Sequence, residues 1–290
     1  MIDPSLRRRL FWVIFVGLAS DSRLASGDDK AADRVVAPAY EEFLVLPLRV
    51  HLLKSESLPE VDCGLTDEEI GRVIRKVNGI WNKAGLHWGL ETIIREEAAG
   101  QGRFRLARDL GGAGGFAGNF GMYRMLLPEG SRRFAGQHVY YLHRFPVNGV
   151  WLGDEVAIVQ ETAKLRAVEG GIDEPLPRVT AHELGHALGL PHRQDTTNLL
   201  ASGTTGTLLN GGEIDIARRT ARGLRGVRTV AEIEARAAEA EAAGKLGVAR
   251  AIWRSLEEIP GGELGARRNL ERLKGSGGKG QSSRDTGCVE

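Results

Sequence analysis

From residue 43 onward, apolar and polar positions fall into readable periods. Residues 43–53 (FLVLPLRVHLL) form a dense apolar run with β-branched members. This predicts a buried strand, with Pro47 suited to an edge or a bulge. Thr66 followed by Glu69 is a capping box, and Ile70, Val73, Ile74, Val77, Ile80 and Trp81 then recur at threes and fours, so a helix with one apolar face should run to about Ala84 and Gly85. Residues 86–94 read as a second strand. Strand, helix, strand is the unit that builds a partly parallel sheet, and the fold class is therefore α/β. Residues 137–143 and 155–160 read as further strands, and Pro175 or Pro177 stands where a helix would begin. From Glu213 the period is helical: 213–223 predicts one helix. Val230, Ile233, Ala237 and Ala240, then Val248, Ala251, Ile252, Leu256 and Ile259, predict a helical hairpin around 244–247.

Between these elements, 111–121 carries glycine at six of eleven positions and predicts an irregular loop. It does not cradle a phosphate, because no Lys-Ser or Lys-Thr follows it. Lys and Arg (39) balance Asp and Glu (38), which removes the electrostatic case for a nucleic-acid or anionic-membrane partner.

The N-terminus has the form of an export signal: Arg7, Arg8 and Arg9 precede the apolar run 10–19, and 17–19 offers a small-x-small cleavage site. An uncleaved anchor is the alternative. The expected location is secreted or extracytoplasmic, with no membrane contact beyond such an anchor. The two cysteines, Cys63 and Cys288, are too few for a disulfide framework or a cysteine-based zinc site, and whether they pair stays open.

The chemistry concentrates in 179–192, which contains H-E-x-x-H-x-x-G-x-x-H. Four residues advance a helix by just over one turn, so His182 and His186 present imidazoles from one face to one metal ion. Glu183 is turned away from that face, where a base can reach a metal-activated water without ligating. His192 cannot ligate from the same straight helix, so Gly189 must end the helix in a left-handed conformation and Pro191 must enforce the stop. Three neutral imidazoles leave a fourth position for water, the mark of a catalytic zinc site. Adding the Gly and the third His, types that occupy 39 and 7 of the 290 positions, makes the long motif about 300-fold rarer by chance than H-E-x-x-H. A buried helix with incidental histidines would explain one of the three, not all.

With this motif the chain resembles the metzincin clan of metallopeptidases, matrixin-like and related bacterial members included. The order of elements over about 40–225 is similar as well. The resemblance implies an α+β zincin-like fold, a mixed twisted sheet with an active-site helix, and a zinc-dependent endopeptidase acting on a protein or peptide substrate with Zn2+ held by His182, His186 and His192 and Glu183 as general base. It also implies that the strand before the helix binds extended substrate antiparallel, which would fall on Glu155, Val156, Ala157 and Ile158. One departure is the clan's methionine turn: no Met follows Met125, and Leu200, in 198–202, stands where the Met is expected. Leucine fills similar volume, so the site should survive. Cys63 (VDCGL) does not match the matrixin latency motif.

His51, His87, His138 and His143 lie outside metal spacing and read as strand or surface histidines. Asp195 could orient a ligand imidazole or cap the following turn, and 204–209 should wall the pocket beyond the scissile bond. The expected organisation is 1–19 signal peptide, 20–39 linker or short pro-segment, 40–226 catalytic domain, 227–273 helical hairpin and 274–290 disordered tail. The hairpin either packs on the catalytic domain or docks a protein partner. The alternative to an endopeptidase is a catalytically inactive zinc-binding relative acting as an extracytoplasmic interaction module.

Overall fold

The computed structural model describes residues 37–115 and 120–276. The proposed signal, most of the linker, part of the glycine-rich segment, Cys288 and nearly all of the tail lie outside the described residues. Among the described residues no helix is long and apolar enough to cross a membrane.

The fold is mixed α/β: a six-stranded sheet with helices against it. Strand β1 (Leu44–Lys54) leads to helix α1 (Asp67–Trp81), which begins on the expected cap, with Thr66 Oγ1 accepting from Glu69 N and Glu69 reaching back to Thr66 N. Its apolar stripe, Ile70, Val73, Ile74, Val77, Ile80 and Trp81, is buried against the sheet. Each such aliphatic side chain contributes about 1.5–3 kcal/mol of burial. Gly85, at φ 67°, turns the chain into β2 (Leu86–Glu97), parallel to β1. The strand order is β2-β1-β3-β5-β4, where β3 is Gln137–Leu142, β4 Gly149–Gly153 and β5 Val156–Gln160. β1, β2, β3 and β5 run parallel, and β4 lies antiparallel on β5.

Pro47 sits in an interior strand, and the register explains why it is tolerated. Pairing of β1 with β3 begins only at Leu48, so no ladder bond on that side needs the missing N–H, and the register with β2 shifts between Leu48 and Arg49.

Three features depart from the expectations. Helix α2 (Gln101–Gly115) runs into the segment read as a loop, anchored by buried Phe104. Strand β4, short and bounded by glycines, was not anticipated. The C-terminal region holds three helices rather than a hairpin: α5 (Val230–Ala242), α6 (Leu246–Glu257) and α7 (Glu263–Ser276), following α4 (Gly211–Arg222) and the short β6 (Arg228–Thr229) that pairs with β1. Ala266 and Leu273 of α7 join Trp253, Leu256 and Ile259 in a separate apolar cluster that also takes in Phe43, so these helices pack on the start of β1.

The strand histidines are not isolated. Parallel pairing of β1 and β3 puts His51 Nε2 2.9 Å from His138 Nδ1, with His51 Nδ1 2.7 Å from Glu96 Oε1 of β2 and Tyr140 stacked on the His51 ring. His87 lies under α1, bonded through Nδ1 to Asn82 Oδ1.

Candidate metal centre

Helix α3 (Pro175–Ala187) carries the motif. Pro175 at its first position fixes φ where no N–H partner is needed, and nearly the whole helix is buried beneath the sheet. Its end is a Schellman motif: Leu190 N donates to Gly185 O, Gly189 N donates to His186 O, and Gly189 sits at φ 81°. A side chain at that φ would be strained, so this glycine is what lets the chain double back and bring His192 to the other two imidazoles.

The three histidines converge. His186 Nε2 is 3.1 Å from His182 Nε2 and 3.2 Å from His192 Nε2. A tetrahedral zinc with Zn–N bonds of about 2.0–2.1 Å needs donor atoms roughly 3.3 Å apart. The spacing therefore fits zinc without rearrangement. The second nitrogens set the tautomers: His182 Nδ1 donates to Leu199 O and His186 Nδ1 to Leu190 O, both at 2.8 Å, which leaves the Nε2 lone pairs facing the centre. Burial pushes His182 down to about 3, helped by the Arg178 charge, and lowers His186 for the same first reason. Both imidazoles are neutral at neutral pH, the form that can bind a metal. Among the described residues this is the one cluster of three or more His, Cys, Asp or Glu able to hold a metal.

Glu183 is 4% exposed and faces the edge strand β4. Burial pushes its carboxyl group upward, opposed by the Trp151 backbone N–H and by Arg178, and a divalent cation at the histidine cluster would lower it again into the range of a base. A Cβ on Gly149 would come within 2.8 Å of both Glu183 Oε1 and Val179 Cγ1. Glycine at 149 is thus what allows the edge strand to lie against the carboxylate.

Beneath the helix, residues 195–201 form a tight turn. Asn198 Oδ1 accepts from Leu200 N, and buried Leu200 packs under Gly185, which lies between His182 and His186 in the chain, leaving 3.2 Å from its Cδ1 to a Cβ built there. Asp195 caps this turn, accepting from Thr197 N and Oγ1, and does not touch an imidazole among its hydrogen bonds. In 204–209, Thr204, Thr205 and Thr207 are buried and Leu208 is exposed.

Two braces were not read from the sequence. Arg178, one turn before His182 and only 2% exposed, donates to the backbone oxygens of Gly206, Asn198 and Ala201, tying the turn to the helix. Its Nη1 also stands 3.2 Å from His182 Nδ1, a proximity of charge, because that nitrogen donates to Leu199. Glu213, buried, receives Arg193 Nε and Asn198 Nδ2 and so links the residue after His192 to the turn. Arg178 had a signal in its i−4 spacing from His182. Glu213 had one in the Asn210-x-x-Glu213 capping box.

The expected substrate strand is corrected. Glu155 precedes β5 in a left-handed conformation, and Val156, Ala157 and Ile158 belong to β5, which is paired on one side with β3 and on the other with β4. Its backbone has no free edge. The free edge on this side of the sheet belongs to β4. Cys63 is not a member of the histidine cluster: buried, it donates to Glu161 Oε2 at 3.2 Å, and burial pushes its thiol up to about 12.

No protein-family profile and no curated protein matches the sequence. Among solved structures, the chain is similar to the crystal structure of archaemetzincin from Methanopyrus kandleri at 13% identity, with a TM-score of 0.37, over 61% of this chain and 96% of that one.

Proposed function

We propose that the protein is a zinc-dependent endopeptidase whose metal is held by His182, His186 and His192. The observation that carries this reading is the convergence of three imidazole Nε2 atoms at zinc spacing beside a buried carboxylate that does not belong to the ligand cluster. A metal site kept only for structure has no need of that carboxylate. When bound, zinc supplies Lewis acidity to the scissile carbonyl and to the attacking water. Glu183 takes one proton from that water as its oxygen bonds to the carbonyl carbon, then delivers it to the amine nitrogen as the C–N bond breaks. Trp151 N–H and Gly149 hold the carboxylate in place, and the outer edge of β4 offers backbone pairing to an extended substrate running past it. The carbonyls of Leu199 and Leu190 keep the ligand rings oriented.

Export to an extracytoplasmic compartment belongs to the same reading and rests on residues 7–22. The test compares wild type with Glu183→Ala for bound zinc and for chelator-sensitive cleavage of casein. Zinc in both and cleavage by wild type alone supports the proposal. Zinc in both and cleavage by neither replaces it with a non-catalytic zinc-binding relative.

A further inference from the structure

At the opposite end of the sheet from the metal centre, β2 is an end strand, and a cavity of about 690 Å³ opens along it between α1 and α6. This volume lies in the range of real ligand sites, about 300–1,000 Å³. Gly89, Leu90, Glu91 and Thr92 all line it. Successive strand residues point to opposite faces, so four in a row can border one cavity only along the strand's edge. Val45, Pro47 and Arg49 of β1 line it too, so the cavity runs from the edge of β2 onto the sheet face turned toward the C-terminal helices.

That edge already has one imitation of a neighbouring strand. Asn78 of α1 offers its carboxamide to the main chain of Trp88, Oδ1 accepting from Trp88 N at 2.8 Å and Nδ2 donating to Trp88 O at 3.0 Å. Trp88 thus turns its backbone groups outward. By the two-residue period the next outward pair is that of Leu90, which lies inside the cavity. Just beyond it the register passes from Leu48↔Leu90 to Arg49↔Thr92, leaving Glu91 as a bulge, and Glu91 pairs with Arg49.

The charged residues lining the cavity are mostly arginines, five of them against Glu91 and Glu258. Arg75 comes from α1 on one side, and Arg236 and Arg254 come from α5 and α6 on the other; none of the three forms an ion pair among the described residues. Ile74 and Ile252 supply apolar surface between them. A strand laid on β2 would send alternate side chains toward α1 and toward the C-terminal helices, so acidic residues at either set of positions would meet a guanidinium.

We propose that the outer edge of β2 and the arginines beside it bind an extended acidic peptide, which adds to the sheet as a further strand. The binding is separate from the peptidase reading and does not depend on it. The three-helix C-terminal unit then has a role: α5 and α6 form one wall of the groove.

The test uses the full chain and a fluorescent dodecapeptide of alternating glutamate and valine, read by anisotropy, with an alternating lysine and valine peptide as control. Saturable binding of the acidic peptide that weakens with salt is expected, along with slowed amide exchange at 89–92. Arg236→Glu with Arg254→Glu should weaken it by about tenfold or more, and Arg75→Glu alone, on a different element, should weaken it too. Casein cleavage and thermal stability should stay at wild-type values in these variants. Absence of saturable binding, equal binding of the lysine peptide, affinity unchanged by the charge reversals, or protection appearing away from 89–92 would each overturn the proposal.

Discussion

Gly149→Ala isolates the contact between the edge strand and the proposed base. The backbone at 149 is not left-handed, so alanine meets no conformational penalty, and any effect comes from the added methyl group. Built onto the structure, that methyl lies 2.8 Å from Val179 Cγ1 and 2.9 Å from Glu183 Cγ. Carbon atoms in contact need about 3.5 Å or more, so β4 and Glu183 must part by roughly 0.6 Å. Overpacking of this size costs about 1–3 kcal/mol of stability. A shift approaching 1 Å at a reacting group costs on the order of 100-fold in rate. The three atoms nearest that methyl belong to Glu183 and Val179 and none to an imidazole, so zinc affinity should change little. The assay is kcat/KM on a quenched-fluorescence peptide cleaved by wild type, with zinc measured in the same preparations and folding checked by thermal denaturation. The prediction is a folded, zinc-loaded protein about 100-fold slower. Wild-type activity would show that Glu183 is not held against β4, and loss of zinc would show that the contact serves the metal rather than the base.

Arg178→Met removes the guanidinium that three backbone carbonyls share, and should destabilise the protein by about 2–4 kcal/mol in urea denaturation; a loss under about 0.5 kcal/mol would show that the turn stands without it. Leu200→Met should leave zinc content and stability within about 1.5 kcal/mol of wild type, whereas Leu200→Ala should cost about 2–5 kcal/mol by opening a cavity under Gly185, and equal effects of the two would refute the packing role. His87, 3% exposed, is lowered by burial to about 4, below its unfolded value near 6.5. The folded state therefore keeps it neutral, and stability present above about pH 6.5 is lost as pH falls toward 4, by about 3 kcal/mol. Urea titrations at pH 7, 5.5 and 4.5 should show that loss in wild type and a flatter profile in His87→Gln; parallel profiles would count against it.

The candidate metal centre was legible because its information is local. Two of its histidines sit one turn apart, and the third follows a glycine whose φ of 81° the chain reversal requires. The capped helix α1 was legible for the same reason. What escaped was long-range. Strand order is not chain order: β4 precedes β5 in sequence but lies outside it, so proximity in sequence to the helix that carries the motif does not show which strand ends the sheet. Strand β4 itself, five residues that begin and end in glycine, shows no alternation to detect. Arg178 was not singled out, because nothing near it in sequence reveals the carbonyls of 198–206 that surround it. His51 and His138 are 87 residues apart, and only parallel pairing of β1 and β3 makes them neighbours.

The most direct test is zinc K-edge X-ray absorption on the purified chain carrying one equivalent of zinc, alongside His192→Ala. The account predicts three imidazole nitrogens and one oxygen at about 2.0–2.1 Å with no sulfur scatterer, and loss of one imidazole together with much of the affinity in the variant. A sulfur shell near 2.3 Å, an unchanged spectrum in the variant, or failure of wild type to retain zinc would contradict it.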